Sequence, residues 1–199
     1  MRNTRNYIFV ITLLVGLTAV ITKPISAQGQ TVIDFEGLSP SGNGVKITDQ
    51  YKDKGIIFSN ATATDSSGVN GFAHSGKNLV ESCLAIEHCS SPISMTFTKP
   101  QKRIKVWVGF AYPGKYTIYL QGFTGGKINP KLKSTIVVKE PYTLNRSSSS
   151  TLSGYQMFAI EVVSDSNNIV RAEVGFLLTS ASVSYRPLAI DDVEFQRVE

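Results

Sequence analysis

The chain has 199 residues, 42% of them hydrophobic and only 18% charged, with a formal net charge of +5. That is enough chain for one sizeable core and short for two. Removing residues 1–27 takes away Arg2, Arg5 and Lys23 and no acid, so +5 falls to +2 and charge alone gives no case for nucleic acid.

The leader comes first. Arg2 and Arg5 precede the apolar run Tyr7 to Ile21, Lys23-Pro24 breaks it, and Ile25-Ser26-Ala27 offers a small residue for cutting. A basic start, a short apolar middle and a small-residue end make a secretory signal, with cleavage expected after Ala27. The uncharged run is about 15 residues, short of the roughly 20 that span a bilayer. No membrane span is therefore expected after cleavage. Residues 28–199 are read as one secreted domain, extracellular or periplasmic, and released rather than anchored, since the sequence stops directly after its last strand.

Beyond the leader, no window carries an apolar stripe at helical spacing. Short apolar or alternating segments separated by Gly, Ser, Asn and Pro predict strands at Thr31–Glu36, Gly55–Ser59, Ile93–Thr98, Ile104–Phe110, Tyr116–Gln121, Thr135–Lys139, Met157–Val163, Ala172–Leu178 and Leu188–Gln196. Many short strands with turn-rich spacers point to an all-β sandwich or barrel rather than an α/β fold. In Ile93–Thr98 and Ile104–Phe110 the apolar residues take every second place, so one side of each faces a core. That turns Lys105 and Trp107 outward. A hairpin joining Ile104–Phe110 to Tyr116–Gln121 near Pro113 would set Trp107 directly across from Tyr119, forming an outer aromatic platform with Lys105 and Gln121 beside it.

Two acidic stretches sit at opposite ends of the domain, Asp34-Phe35-Glu36 and Ile190-Asp191-Asp192-Val193-Glu194-Phe195. In the second the alternation stumbles. Ile190 and Val193 are both apolar but three apart, and both face inward only through a bulge or bend. Convergent carboxylates repel each other unless something positive lies between them, and calcium suits such a site because it takes six to eight oxygens. Cys83 and Cys89 are expected to form a disulfide in an oxidising compartment; their spacing, with His88 adjacent, matches no common zinc signature. Basic clusters at Lys99/Lys102/Arg103/Lys105 and Lys127/Lys131/Lys133 flank or join strands, where charge protects edges, and no nucleic-acid-binding motif accompanies them. Catalysis is not expected. The chain has two histidines and no nucleophile elbow, and on a strand the adjacent pair His74-Ser75 would point to opposite faces.

Four pieces in order, Asp34-Phe35-Glu36-Gly37-Leu38, Ile47-Thr48-Asp49-Gln50-Tyr51 leading to Gly55-Ile56-Ile57-Phe58, His74-Ser75-Gly76, and Leu188 to Phe195, resemble the galactose-binding-domain-like β-sandwiches of exported bacterial proteins. The resemblance implies a jelly roll of about eight or nine antiparallel strands whose first and last strands lie close together. It also implies a structural calcium on Glu36 and Asp192, with Asp191 and the carbonyls of residues 41–44 as further candidates. It further suggests a polysaccharide or glycan partner, met either on a sheet face by Trp107, Tyr119, Lys105 and Gln121 or at a loop end by Tyr112, Tyr51, His74 and Asn78. A structural or adhesive module binding a protein partner, with no sugar site, is the alternative.

Overall fold

The last strand organises the molecule. In a computed structural model describing residues 29–42, 44–66, 73–82, 92–110, 116–125, 127–138, 157–178 and 188–197, twelve strands form two antiparallel sheets packed as a β-sandwich. They are β1 (Gln30–Ile33), β2 (Val45–Ile47), β3 (Ile56–Ser59), β4 (Ala61–Asp65), β5 (Asn78–Glu81), β6 (Ile93–Gln101), β7 (Arg103–Phe110), β8 (Tyr116–Thr124), β9 (Lys127–Val138), β10 (Phe158–Val163), β11 (Ile169–Leu178) and β12 (Leu188–Gln196). The first sheet runs β10-β7-β12-β5-β4-β2, with β1 also paired to β12; the second runs β3-β6-β11-β8-β9. From β10 onward each strand lies in the opposite sheet from its predecessor, the crossing pattern of a jelly roll.

The expected class holds, while the strand count is higher than eight or nine. The additional strands are β2, β4 and β5, of three, five and four residues. Each is too short to show a clear period, and the Ala, Asn and Asp of β4 and β5 are residues depleted in strands. All three belong to the first sheet, where they extend it beyond β12.

The alternation read from the sequence sets the core. Ile93 and Met95 of β6 and Ile104, Val106 and Val108 of β7 are fully buried, each fully buried aliphatic side chain stabilising by about 1.5–3 kcal/mol. Phe35, Tyr51 and Phe58 close one region of it with edge-to-face rings whose centroids lie 5.6 to 6.1 Å apart.

Along one edge β12 is paired throughout with β7. Its other edge is shared. Residues 193–196 pair with β1 and residues 189–190 with β5, both antiparallel. β1 and β5 therefore run in the same direction, end to end, as two halves of one interrupted strand. The chain leaves at Asp34 and returns at Lys77–Asn78, and Asp191-Asp192 sit opposite the gap. The bulge required by the spacing of Ile190 and Val193 is there: the β7 register shifts between Asp191 and Glu194, Asp192 takes a φ of 38°, and Ile190 and Val193 are both fully buried.

Candidate functional site

Both acidic stretches meet at this gap because β1 pairs with β12. From the β1 side, Glu36 Oε1 accepts the backbone N–H of Lys77 at 2.9 Å and of Asn78 at 2.7 Å. The buried Asn78 amide answers by donating to the carbonyls of Phe35 and Leu38, each at 3.0 Å. From the β12 side, Asp191 Oδ2 accepts the N–H of Ser75 at 2.9 Å, and Asp192 Oδ1 accepts the Ser75 hydroxyl at 2.8 Å. Asp192 Oδ2 contacts His74 Nδ1. One short segment, residues 74–78, is thus clamped between the first and last strands.

Gly76 is required in the middle of the clamp. Its φ is +54°, and a Cβ there would lie 2.2 Å from the Glu36 carboxyl carbon. Phe35 also sits in the left-handed region, at φ 60°. Such a conformation costs a non-glycine residue about 1–3 kcal/mol and persists where the surroundings over-determine it. Here the buried Phe35 ring and the Asn78 bond to its carbonyl hold it.

His74 and Ser75 do not diverge as they would on a strand. They lie in a bend, and both side chains reach Asp192. Because the Ser75 hydroxyl donates to Asp192 rather than to the imidazole, the trio lacks the nucleophile-to-base bond of a catalytic triad. Asp191 is fully buried. Burial pushes its carboxyl up to about 7, with the Ser75 and Asp192 amides opposing the rise and the neighbouring Asp192 charge adding to it.

Each of the three carboxylates expected to hold calcium therefore already accepts a protein N–H or O–H group. Among the described residues no three His, Cys, Asp or Glu side chains gather to hold a metal ion. The Ser41 carbonyl is likewise engaged, by Gly44 N at 3.1 Å. The residues form a hydrogen-bonded clamp, and a cation here would share its oxygens.

Trp107 is outward on β7 as expected, but its partner is His74. Their rings stack at 3.4 Å and 15°. Lys105 Nζ lies 5.1 Å from the indole centroid and bonds Glu194 at 2.9 Å, while Leu79, Met157 and Ala189 pack around the ring. The expected Trp107–Tyr119 pair does not exist. β7 belongs to the first sheet and β8 to the second, so the two strands do not pair as a hairpin. In place of a platform, Trp107 carries the clamped segment.

Of the loop-end candidates, Tyr51 and Asn78 are buried. Burial first, then the charges of Asp34 and Glu36, push the Tyr51 hydroxyl up to about 12. Tyr112, Cys83 and Cys89 lie outside the described residues, as does the leader.

Tyr119 stands on the outer face of the second sheet. In register with it are Gly175 of β11 and Thr135 of β9. Its ring lies across Gly175, where a Cβ would come within 2.4 Å of the tyrosine oxygen. Lys133 Nζ is 5.4 Å from the ring centroid. Burial and the Glu173 charge both push its hydroxyl up. Toward one end of the same face, Arg171 covers Phe123 at 3.9 Å and pairs with Glu173 at 3.2 Å. Sequence alternation placed Tyr119 outward but gave no hint of Arg171, Phe123 or Lys133, because cross-strand neighbours depend on pairings the sequence does not state. Gln121 is buried rather than offered to a ligand: its amide nitrogen donates to the carbonyls of Gly122, Asn129 and Leu132, pinning the irregular stretch of β9 to β8.

No protein-family model matches the chain, and no curated protein matches it. Among solved structures it is similar at low identity to the K2 cleaved adhesin domain of Lys-gingipain (13% identity, TM-score 0.44, covering 84% of this chain and 99% of that one). A second is TmCBM61 in complex with beta-1,4-galactotriose, at 11% identity and a TM-score of 0.34, covering 79% of this chain and 96% of that one. A third is the catalytic domain of a GH87 alpha-1,3-glucanase in complex with nigerose, at 15% identity and a TM-score of 0.38, covering 85% of this chain and 28% of that one. Among the described residues, no helix is long and apolar enough to cross a membrane.

Proposed function

We propose that this is a secreted, non-catalytic glycan-binding module whose recognition surface is the outer face of the five-stranded sheet, centred on Tyr119. The supporting observation is the placement of the Tyr119 ring across Gly175, beneath the Lys133 ammonium. A ring held against a sheet offers the C–H face of a sugar an apolar contact, and polar groups at its margin take the hydroxyls. Lys133, Thr135 and Glu173 supply those groups from the two neighbouring strands within two residues of the positions opposite Tyr119, and Arg171 lies two residues beyond Glu173. Binding to a panel of soluble and insoluble polysaccharides tests the reading: Tyr119→Ala is expected to lose retention while Tyr119→Phe keeps it. Equal retention of Tyr119→Ala and wild type removes this face from recognition.

Calcium on Glu36, Asp191 and Asp192 is a separate proposal, since a cation there would have to share oxygens that already hold residues 74–78. Melting in calcium and in chelator decides it. A calcium-dependent rise that is lost in a Glu36→Ala, Asp192→Ala double variant supports the metal; coincident curves for the wild type remove it.

A further inference from the structure

Charge is segregated along this chain. From His88 to Lys139 there is no Asp or Glu, while Lys99, Lys102, Arg103, Lys105, Lys115, Lys127, Lys131, Lys133 and Lys139 all fall in that stretch. The fold then treats the basic residues of the two sheets differently. On the first sheet Arg103 pairs with Glu161 and lies 3.9 Å from Glu194, and Lys105 pairs with Glu194 at 2.9 Å. On β9, Lys127, Lys131 and Lys133 are exposed and have no ion-pair partner among the described residues. Described residues 116–125 and 127–138, the whole of β8 and β9, contain no acid at all. Among the described residues of the second sheet Glu173 is the one carboxylate facing outward near Tyr119, and Arg171 pairs with it at 3.2 Å.

Exposed charges are screened beyond about 8–10 Å at physiological salt, so the local array governs binding and not the modest net charge of the chain. That array has an aromatic ring at its centre and uncompensated ammonium groups along one edge. Lys133 is in register with Gln121 and, two strands across, Glu173; Arg171 lies two residues further along β11, which sets the two cations roughly 12 Å apart. A neutral sugar has no use for excess cations, whereas a chain bearing one carboxylate or sulfate per unit meets a cation at successive steps.

We infer that the Tyr119 face takes an anionic polysaccharide, a polyuronate or sulfated glycan, and prefers it over a neutral one. This rests on the glycan-binding reading above. The test titrates the purified protein with polygalacturonate and with the same polymer after carboxyl reduction, which keeps the sugar rings and removes the charge. The charged polymer is expected to bind at least about tenfold more tightly at low salt, the advantage vanishing at high salt. A Lys131→Gln, Lys133→Gln double variant, altered only at exposed positions and checked by its melting curve, is expected to lose that preference. Tyr119→Ala is expected to weaken both polymers.

Equal affinity for the two polymers overturns the anionic preference and leaves glycan binding standing. Binding of no polysaccharide in any panel overturns both. Single-stranded oligonucleotide or anionic vesicles competing as well as free polygalacturonate would show unspecific polyanion binding, and that also overturns the inference.

Discussion

Glu36 and Asn78 hold each other reciprocally: the Asn78 N–H donates to the Glu36 carboxylate at 2.7 Å, and the Asn78 side chain donates to the carbonyl of Phe35 at 3.0 Å. The exchange joins the end of β1 to the start of β5 where the strand they share is interrupted. Glu36→Ala strands two backbone amides, and hydrogen bonds to charged groups are worth about 1.5–3 kcal/mol each. A loss of about 2–4 kcal/mol is expected on urea unfolding, with Asn78→Ala similar. A loss below about 0.5 kcal/mol, the range of an ordinary surface change, would mean the clamp does not hold the fold.

Trp107 is the only tryptophan in the chain, so intrinsic tryptophan fluorescence reports on one place. With His74 stacked on it at 3.4 Å, the indole is shielded on that side. His74→Ala is expected to shift emission to longer wavelength and to increase quenching by acrylamide. Asp192→Asn, which weakens the grip on His74, should move both readouts the same way by less. Unchanged spectra in both variants would dissociate the segment from the indole.

Glu81 gives the molecule a pH dependence. Burial alone lifts its carboxyl from 4.5 to about 7. An acid whose folded pKa lies above its unfolded one favours folding when protonated. The penalty is therefore absent below about pH 4.5, grows as the unfolded chain ionises, and is complete above about pH 7. The gap corresponds to about 3 kcal/mol as an upper limit. Glu81→Gln is expected to stabilise by about 1–3 kcal/mol near pH 8 and by almost nothing near pH 4, read from urea midpoints. Equal effects at both pH values would rule out the ionisation as the cause.

Gln121 and Gly175 carry predictions for the second sheet. Gln121→Ala removes two N–H groups shared among three buried or half-buried carbonyls and is expected to cost about 1–3 kcal/mol. Gly175→Val collides with the Tyr119 ring. It is expected to abolish polysaccharide retention together with a stability loss of about 1–3 kcal/mol. Full retention in Gly175→Val would show that the position of the ring is irrelevant to binding.

How much of this was legible before folding depends on the range of the interaction. Alternation in β6 and β7 told which residues face inward, and the three-residue step from Ile190 to Val193 announced the bulge, since both are local rules of the strand. The meeting of Glu36 with the Asp191-Asp192 pair came from the resemblance at the chain ends. What failed was pairing. Trp107 and Tyr119 both face outward as read, but alternation says nothing of which sheet a strand joins, and a short connection at Pro113 looks alike whether it turns or crosses. Nothing local marked Asn78 and Gly76 as members of a clamp, because their importance lies in backbone groups aimed at a carboxylate some forty positions away.

Gln30 lies opposite Gln196 in the β1–β12 ladder, so the described sandwich begins and finishes at neighbouring points on one edge. A host polypeptide carrying the unit in one of its loops would enter and leave through almost the same spot, with little added separation to bridge. Tension applied through both ends would load the ladder from its open end. The rungs would give way in succession, like a zipper, with the bulge and the clamped segment next in line once β1 has peeled away.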